Sequence, residues 1–238
     1  MKCICIIFIC ISFNTFAYSQ NFEISLRTGF GSFQMRDLKE IQDEVLEQTK
    51  ITISDLKKTS SFPVYSVFGI SSGISMTDYS ISAIFNYEST GSRIAYNDYS
   101  GSYYFDQIAK NFILGGNFKK YSKHRIPLNN YFFKPFFNFN SGISLSHITF
   151  IDKLTIGDEQ LIEKLELREV SSFVEPGFGL SLFISKIKIE PNLSIHIPTY
   201  RSGLFLEGNF DVKFEDEDGP IHASWFGVRM GLNITFIF

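Results

Sequence analysis

The chain has 238 residues, a formal net charge of −3 and a mean hydropathy of +0.04. That length allows one barrel-sized domain, the charge provides no basic face to neutralise phosphates, and the hydropathy is too low for a bundle of membrane helices. A nucleic-acid partner is therefore not expected. Aromatic residues are nonetheless abundant, with 27 Phe and 11 Tyr, so the fold needs a way to place much apolar surface without raising the mean. Strands that interleave apolar and polar positions do this.

The N-terminus has Lys2, an apolar run over residues 3–13, then Asn14, Thr15, Phe16, Ala17, Tyr18 and Ser19. A charged start, a short apolar stretch and a small-x-small site predict a signal peptide over residues 1–19, leaving Gln20 first in a mature domain of residues 20–238. The run is short of the roughly 20 apolar residues that a spanning helix needs. Phe8 and Ile9 stand where a lipobox has small residues, so Cys10 is not read as a lipid attachment point. Cys3, Cys5 and Cys10 all fall in this segment. The mature domain must hold itself without disulfides, and a closed hydrogen-bonded barrel is one way.

Eight strands are expected from period-two alternation. The first sets Phe22, Ile24, Leu26, Thr28 and Phe30 against Glu23, Ser25, Arg27 and Gly29. A polar stretch over residues 31–61 follows, in which Leu38, Ile41, Val45 and Leu46 recur at helical spacing. This predicts an amphipathic helix around Leu38 and Leu46. It would contact a partner or cover its own stripe locally; a lid over the barrel mouth is the third reading. Strand two occupies residues 63–75, with Val64, Phe68, Ile70 and Ile74 outward. Thr77 and Asp78 turn into strand three, where Tyr79, Ile81, Ala83, Phe85 and Tyr87 oppose Ser80, Ser82, Asn86 and Glu88. A loop is expected over residues 90–102.

Strand four, residues 104–119, alternates Phe112, Leu114 and Phe118 with Asn111, Gly115 and Asn117; Ile108, Ala109 and Lys110 break the parity and predict a bulge. Strand five sets Phe133, Pro135, Phe137, Phe139, Ile143 and Leu145 against Lys134, Asn138, Asn140, Gly142 and Ser144, with Phe136 an exception on the polar side. Residues 152–169 are expected as a Glu-rich loop, with a helical turn suggested by Leu161, Ile162 and Leu165. Strand six carries Val174, Pro176, Phe178, Leu180 and Leu182 against Glu175, Gly177, Gly179 and Ser181. After a turn at Ser185 and Lys186, strand seven carries Ile187, Ile189, Pro191, Leu193, Ile195 and Ile197 against Lys188, Glu190, Asn192, Ser194 and His196. The loop over residues 201–222 contains a strand-like segment and the acidic run Glu215, Asp216, Glu217 and Asp218, a solvated tip or a cation site.

The last strand is the most regular. Phe226, Val228, Met230, Leu232, Ile234, Phe236 and Phe238 alternate with Gly227, Arg229, Gly231, Asn233, Thr235 and Ile237. Two glycines and an arginine suit a crowded barrel interior, and the other series suits hydrocarbon. Connections run long and short in turn, as in outer-membrane barrels with short periplasmic turns and long outer loops. Together these give an all-β fold: an eight-stranded antiparallel transmembrane β-barrel with long, partly helical extracellular loops. The alternation, the Gly-rich stretch from Glu175 to Leu180, the Tyr200-x-x-Gly-Leu204 pattern and the terminal Phe238 resemble the small outer-membrane β-barrel family common in Bacteroidota, similar in architecture to the OmpA and OmpX barrels. The resemblance implies outer-membrane lipid and lipopolysaccharide as surroundings. It also implies recognition of Leu232, Ile234, Phe236 and Phe238 by the barrel assembly machinery.

Inward charges are expected at Glu23, Arg27, Glu88, Lys134, Glu175, Lys188, Glu190 and Arg229. They form an ion path or a structural salt-bridge network, and the mixed signs in a narrow lumen favour the network. Neither a cofactor nor a metal site is expected: His124, His147, His196 and His222 are scattered, with no ligand spacing among them. A lipid-modifying Ser/His pair has its local candidate at His147 beside Ser144 and Ser146, but Ser146 and His147 face opposite sides of a strand. Tyr96, Tyr99, Tyr103 and Tyr104 at one end, and Tyr121, Tyr131 and Phe132 at the other, suit two aromatic girdles. The leading reading is a non-enzymatic structural or interaction protein, acting on a protein partner through its loops. A narrow channel and a lipid-modifying enzyme are the alternatives.

Overall fold

The computed structural model describes residues 21–53, 55–128, 131–216 and 219–238; the segment expected as a signal peptide, Glu217 and Asp218 lie outside them. Eight long strands form a closed antiparallel ring. They are β1 (Asn21–Phe33), β3 (Tyr65–Ser75), β4 (Tyr79–Asn97), β5 (Gly101–Tyr121), β7 (Tyr131–Ile156), β8 (Glu159–Ile184), β9 (Ile187–Arg201) and β14 (Gly227–Ile237). Each pairs with its neighbour in the ring, and β1 closes it by pairing with β14 from Glu23↔Ile237 to Phe33↔Gly227. Closure leaves the ring without a free edge, so backbone donors and acceptors are satisfied within the wall. The sheet also carries four short strands, two of them inside the strand-like segment expected in the 201–222 connection. These are β2 (Lys57–Ser61) on β4, β6 (Ile126–Leu128) on β7, and β10 (Phe205–Leu206) between β8 and β11 (Asn209–Lys213). A small ribbon, β12 (Glu215–Asp216) with β13 (Gly219–Pro220), holds the described part of the acidic run.

An apolar band encircles the lower barrel. On β1, Phe22, Leu26 and Phe30 are exposed while Glu23 and Ser25 are buried; on β14, Val228, Met230, Leu232, Ile234 and Phe236 are exposed while Arg229, Asn233 and Thr235 are buried. Nine residues from Phe22 to Phe30 span about 30 Å along the strand, or about 23 Å across a wall tilted by roughly 40°. Phe136, the apparent misfit, lies inside at 4 % exposure. Its space comes from Gly179 directly opposite, where a β-carbon would stand 2.5 Å from the Phe136 ring and 2.4 Å from the Pro191 carbonyl oxygen.

Above the band the strands do not stop. The loops expected over residues 90–102 and 152–169 are the tops of two tall hairpins, β4–β5 and β7–β8, whose registers run unbroken to Asn97↔Ser102 and Ile156↔Glu159. Leu161, Ile162 and Leu165 lie on strand, not in a helical turn. Nor is there a bulge at Ala109: the ladder passes through Ser89↔Lys110, Thr90↔Ala109 and Gly91↔Ile108 without a shift. What changes is the environment. Below, the wall is apolar outside and polar inside; above, Arg93, Asp106 and Lys110 face out while Ile94, Phe105, Ala109, Ile148 and Leu167 are buried inside. The outward face turns from apolar to polar and the inward face from polar to apolar on the same strands, and this inversion mimics a parity break.

The head's core is closed by α1 (Arg36–Lys50). Leu38 is fully buried, and Ile41, Val45 and Leu46 pack on the inward residues of the hairpins together with Phe33, Tyr65 and Trp225. The helix is therefore a lid over the barrel mouth, the reading the sequence favoured least. Asp37 accepts hydrogen bonds from the His222 amide (2.8 Å) and the Ser224 hydroxyl (3.4 Å), and the Gln42 amide donates to the Ser60 carbonyl (2.7 Å). The upper girdle also dissolves: Tyr103 is buried in the head, Tyr96 packs against its core, Tyr99 is fully exposed on the β4–β5 turn, and Tyr104 carries Arg93 over its ring. At the lower end Tyr121 points into the lumen and Phe132 stacks on Phe183. Parity, not depth, decided these positions.

The wall predicts a contrast between neighbours. In lipid vesicles Leu232→Arg impairs folding by about 2–4 kcal/mol if it sits near midplane depth, while Asn233→Arg, which points inward, is tolerated better unless it overfills the lumen. Urea titrations of the refolded variants measure both; equal, small effects would remove the lipid assignment of the band.

Candidate functional site

The lumen inside the band holds charge in two tiers. In the lower tier the Lys188 ammonium donates to Glu23 (2.7 Å) and to the Ser75 hydroxyl (2.9 Å). Lys119 pairs with Glu190, whose other oxygen accepts from the Tyr121 hydroxyl (3.0 Å). Lys134 donates to the Thr77 carbonyl (3.3 Å) at the end where the short turns lie. All these side chains are buried.

The middle tier is organised by Arg229, whose guanidinium pairs with both Glu88 and Glu175 and lies over the Phe33 ring at 5.2 Å. Glu175 also accepts from Asn140 (2.9 Å) and Ser194 (2.8 Å), and meets the His196 ring nitrogen Nδ1 at 3.2 Å. Asn111 donates to Glu88 (3.4 Å). Carboxylates withdrawn from water this completely persist because cations and hydrogen-bond donors surround them. Arg27 faces the same tier, with Nη1 buried and unpaired beside a void of about 30 Å³ that Asn86 and Asn192 also line. That is room for about one water.

All eight inward charges read from the sequence thus face the lumen, in two tiers. Sequence reasoning missed Lys119 and Glu169. Lys119 has the parity of Asn117, which was the available signal. Glu169 was assigned to a loop; it is buried on β8, where it accepts from the Ala223 amide (3.0 Å) and meets the His222 ring (2.9 Å), joining the wall to the lid's anchor.

The catalytic candidate is not assembled. Ser144 and Ser146 are buried inside while His147 is partly exposed on the opposite face, and the Ser146 hydroxyl accepts from the Trp225 indole (2.8 Å). The fold does gather His147, Glu166 and Glu207 on the outside of the head, with ligand atoms within 4.8 Å of one another. Such a set has the chemistry to hold a metal ion, but Lys164 already pairs with Glu166 and Arg168 with Glu207.

The sequence matches no known family pattern and no curated protein. Among solved structures, the chain is similar to Ail, the attachment invasion locus protein of Yersinia pestis, at 7 % identity and a TM-score of 0.37, covering 92 % of this chain and 99 % of that one. It is also similar to the N-terminal β-barrel domain of Pseudomonas aeruginosa OprF, at 11 % identity and a TM-score of 0.31, covering 91 % and 97 %. Likenesses of this size transfer no residue role.

The middle tier carries a measurable consequence. Arg229→Ala leaves Glu88 and Glu175 buried without their shared cation and costs about 3–5 kcal/mol of stability. Replacing both carboxylates by Gln in the same chain restores most of it. Denaturant unfolding of the refolded barrel reads both effects, and an unchanged midpoint for Arg229→Ala would show that the tier does not hold the barrel.

Proposed function

We propose that this protein is an outer-membrane β-barrel whose working part is the head, and that it acts by interaction rather than by catalysis. The observation that carries this is the inversion of polarity along single strands: an outward apolar band about 23 Å tall, then a polar-sided head with its own apolar core and helical lid. A water-soluble barrel has no use for the band, and a bare membrane anchor has no use for the head. The charge tiers act as structural filling that fixes the cross-section of a narrow barrel. The regular final strand, with Leu232, Ile234, Phe236 and Phe238, is the segment offered to the barrel assembly machinery. Residues 1–19 are its export signal. Lipopolysaccharide and outer-membrane lipid surround the band, and the head's ligand or protein partner meets it from outside the cell.

Topology is testable because cysteine occurs only at positions 3, 5 and 10. A single Asp158→Cys at the β7–β8 tip is labelled by an impermeant maleimide on intact cells, whereas Lys186→Cys at the β8–β9 turn is labelled only after the outer membrane is disrupted. Labelling of both on intact cells, or the reverse order, would overturn the assignment.

The channel alternative is tested separately. The interlocked tiers below and the packed core above predict that purified protein in planar bilayers gives no defined single-channel steps. Reproducible steps would favour the channel.

A further inference from the structure

A cavity of about 450 Å³ opens in the head between α1, the inner face of the β7–β8 hairpin and the β10–β13 segment. Its walls are apolar: Ile41 and Val45 come from the lid, Phe105 and Phe150 from the barrel, and Phe214 and Ile221 from the segment opposite. Phe105 and Phe150 stack at 6.1 Å. Two carboxylates stand at its rim on the inward side. Asp152 and Glu163 are cross-strand partners, placed side by side by the register. Asp152 accepts a hydrogen bond from the Tyr103 hydroxyl (3.2 Å). Among the described residues no cation pairs with either carboxylate, and Lys164, the rim's cation, is taken by Glu166. Burial and the negative charge of Glu163 push the Asp152 carboxyl above its usual range, as uncompensated like charges do.

A second cavity of about 400 Å³ adjoins the first, sharing Ile41 and Ile221. It is acidic, lined by Asp37, Glu40, Glu44 and Glu215, and its cation Arg36 pairs with Glu40. An aromatic-walled compartment thus meets carboxylates at its rim and again next door. Aromatic faces attract cations, and pockets of 300–1,000 Å³ suit small organic molecules.

We propose that the head binds an amphiphilic cation, an ammonium group on an apolar or aromatic body. The body lies between Val45, Phe105, Phe150 and Phe214, and the ammonium sits at Asp152 and Glu163. This rests on reading the head as the interacting part, but not on where the protein resides. Failure of the pocket would leave the cell-surface labelling result standing.

The test uses the refolded full barrel in zwitterionic nanodiscs and three matched probes: phenylbutylammonium, phenylbutanol and phenylbutyrate. Methyl NMR at Ile41, Val45 and Leu165 reads binding locally, so partitioning into lipid does not register. The cation shifts these methyls at concentrations roughly tenfold below the alcohol, and the anion is weaker still. Asp152→Asn with Glu163→Gln levels the three probes while the strand methyls stay unchanged, and Val45→Trp, which fills the cavity, removes all binding. No shift with any probe, equal shifts with all three, or binding that survives Val45→Trp would each overturn the proposal.

Discussion

The pairing of β1 with β14 is the contact on which everything else depends. It joins strands at opposite ends of the described chain over eleven consecutive residue pairs, from Glu23↔Ile237 to Phe33↔Gly227. With it, the wall has no edge and can stand in hydrocarbon; without it, two rows of backbone groups would be left without partners, which the proposed membrane setting could not supply. Closure also fixes the interior. Eight strands leave a lumen that side chains alone can fill, so whatever points inward must pack, pair, or shrink to glycine.

The lumen answers that demand by ion pairing in one region and apolar packing in another. Arg229 gathers Glu88 and Glu175, while Lys119 and Lys188 serve Glu190 and Glu23. Higher up, the same inward face carries Ile94, Phe105, Ala109, Ile148 and Leu167 beneath the α1 lid. The difference follows from what surrounds the wall. In the proposed membrane setting, an apolar outside leaves the polar half of each strand only the inside to occupy, and where the outside is wet the apolar half moves in and forms an ordinary core.

That division gives the two halves separate tasks. The lower barrel is filled and regular, as suits the proposed part of holding a position. The head has a lid tied by Asp37 to the segment at His222, and Glu169 ties that segment to β8. It also has irregular short strands and cavities between elements distant in sequence. Recognition surfaces are commonly placed in this way, on connections carried by a rigid frame. The His147, Glu166 and Glu207 group lies on the same head but is already occupied by Lys164 and Arg168.

Much of the frame was legible in the sequence because alternation is a local property: residues at every second position share a face wherever the strand goes. Thus Phe22 to Phe30 and Phe226 to Phe238 already separated wall from lumen, and Glu23, Glu88, Glu175, Lys188, Glu190 and Arg229 were found by parity alone. Which charge meets which was not legible, because Arg229 reaches Glu88 and Glu175 from non-adjacent strands through register and closure. Nor could parity say where the surroundings change, so the hairpin tops passed for loops and Ala109 for a bulge. The lid and the acid-rimmed cavity were hidden for the same reason: Leu38, Phe105, Asp152 and Phe214 are far apart in the chain. The sequence by itself determined the wall, since each strand's two faces are written in neighbouring residues; only the tertiary structure decided the head, since its core exists where the closed ring brings separate segments together.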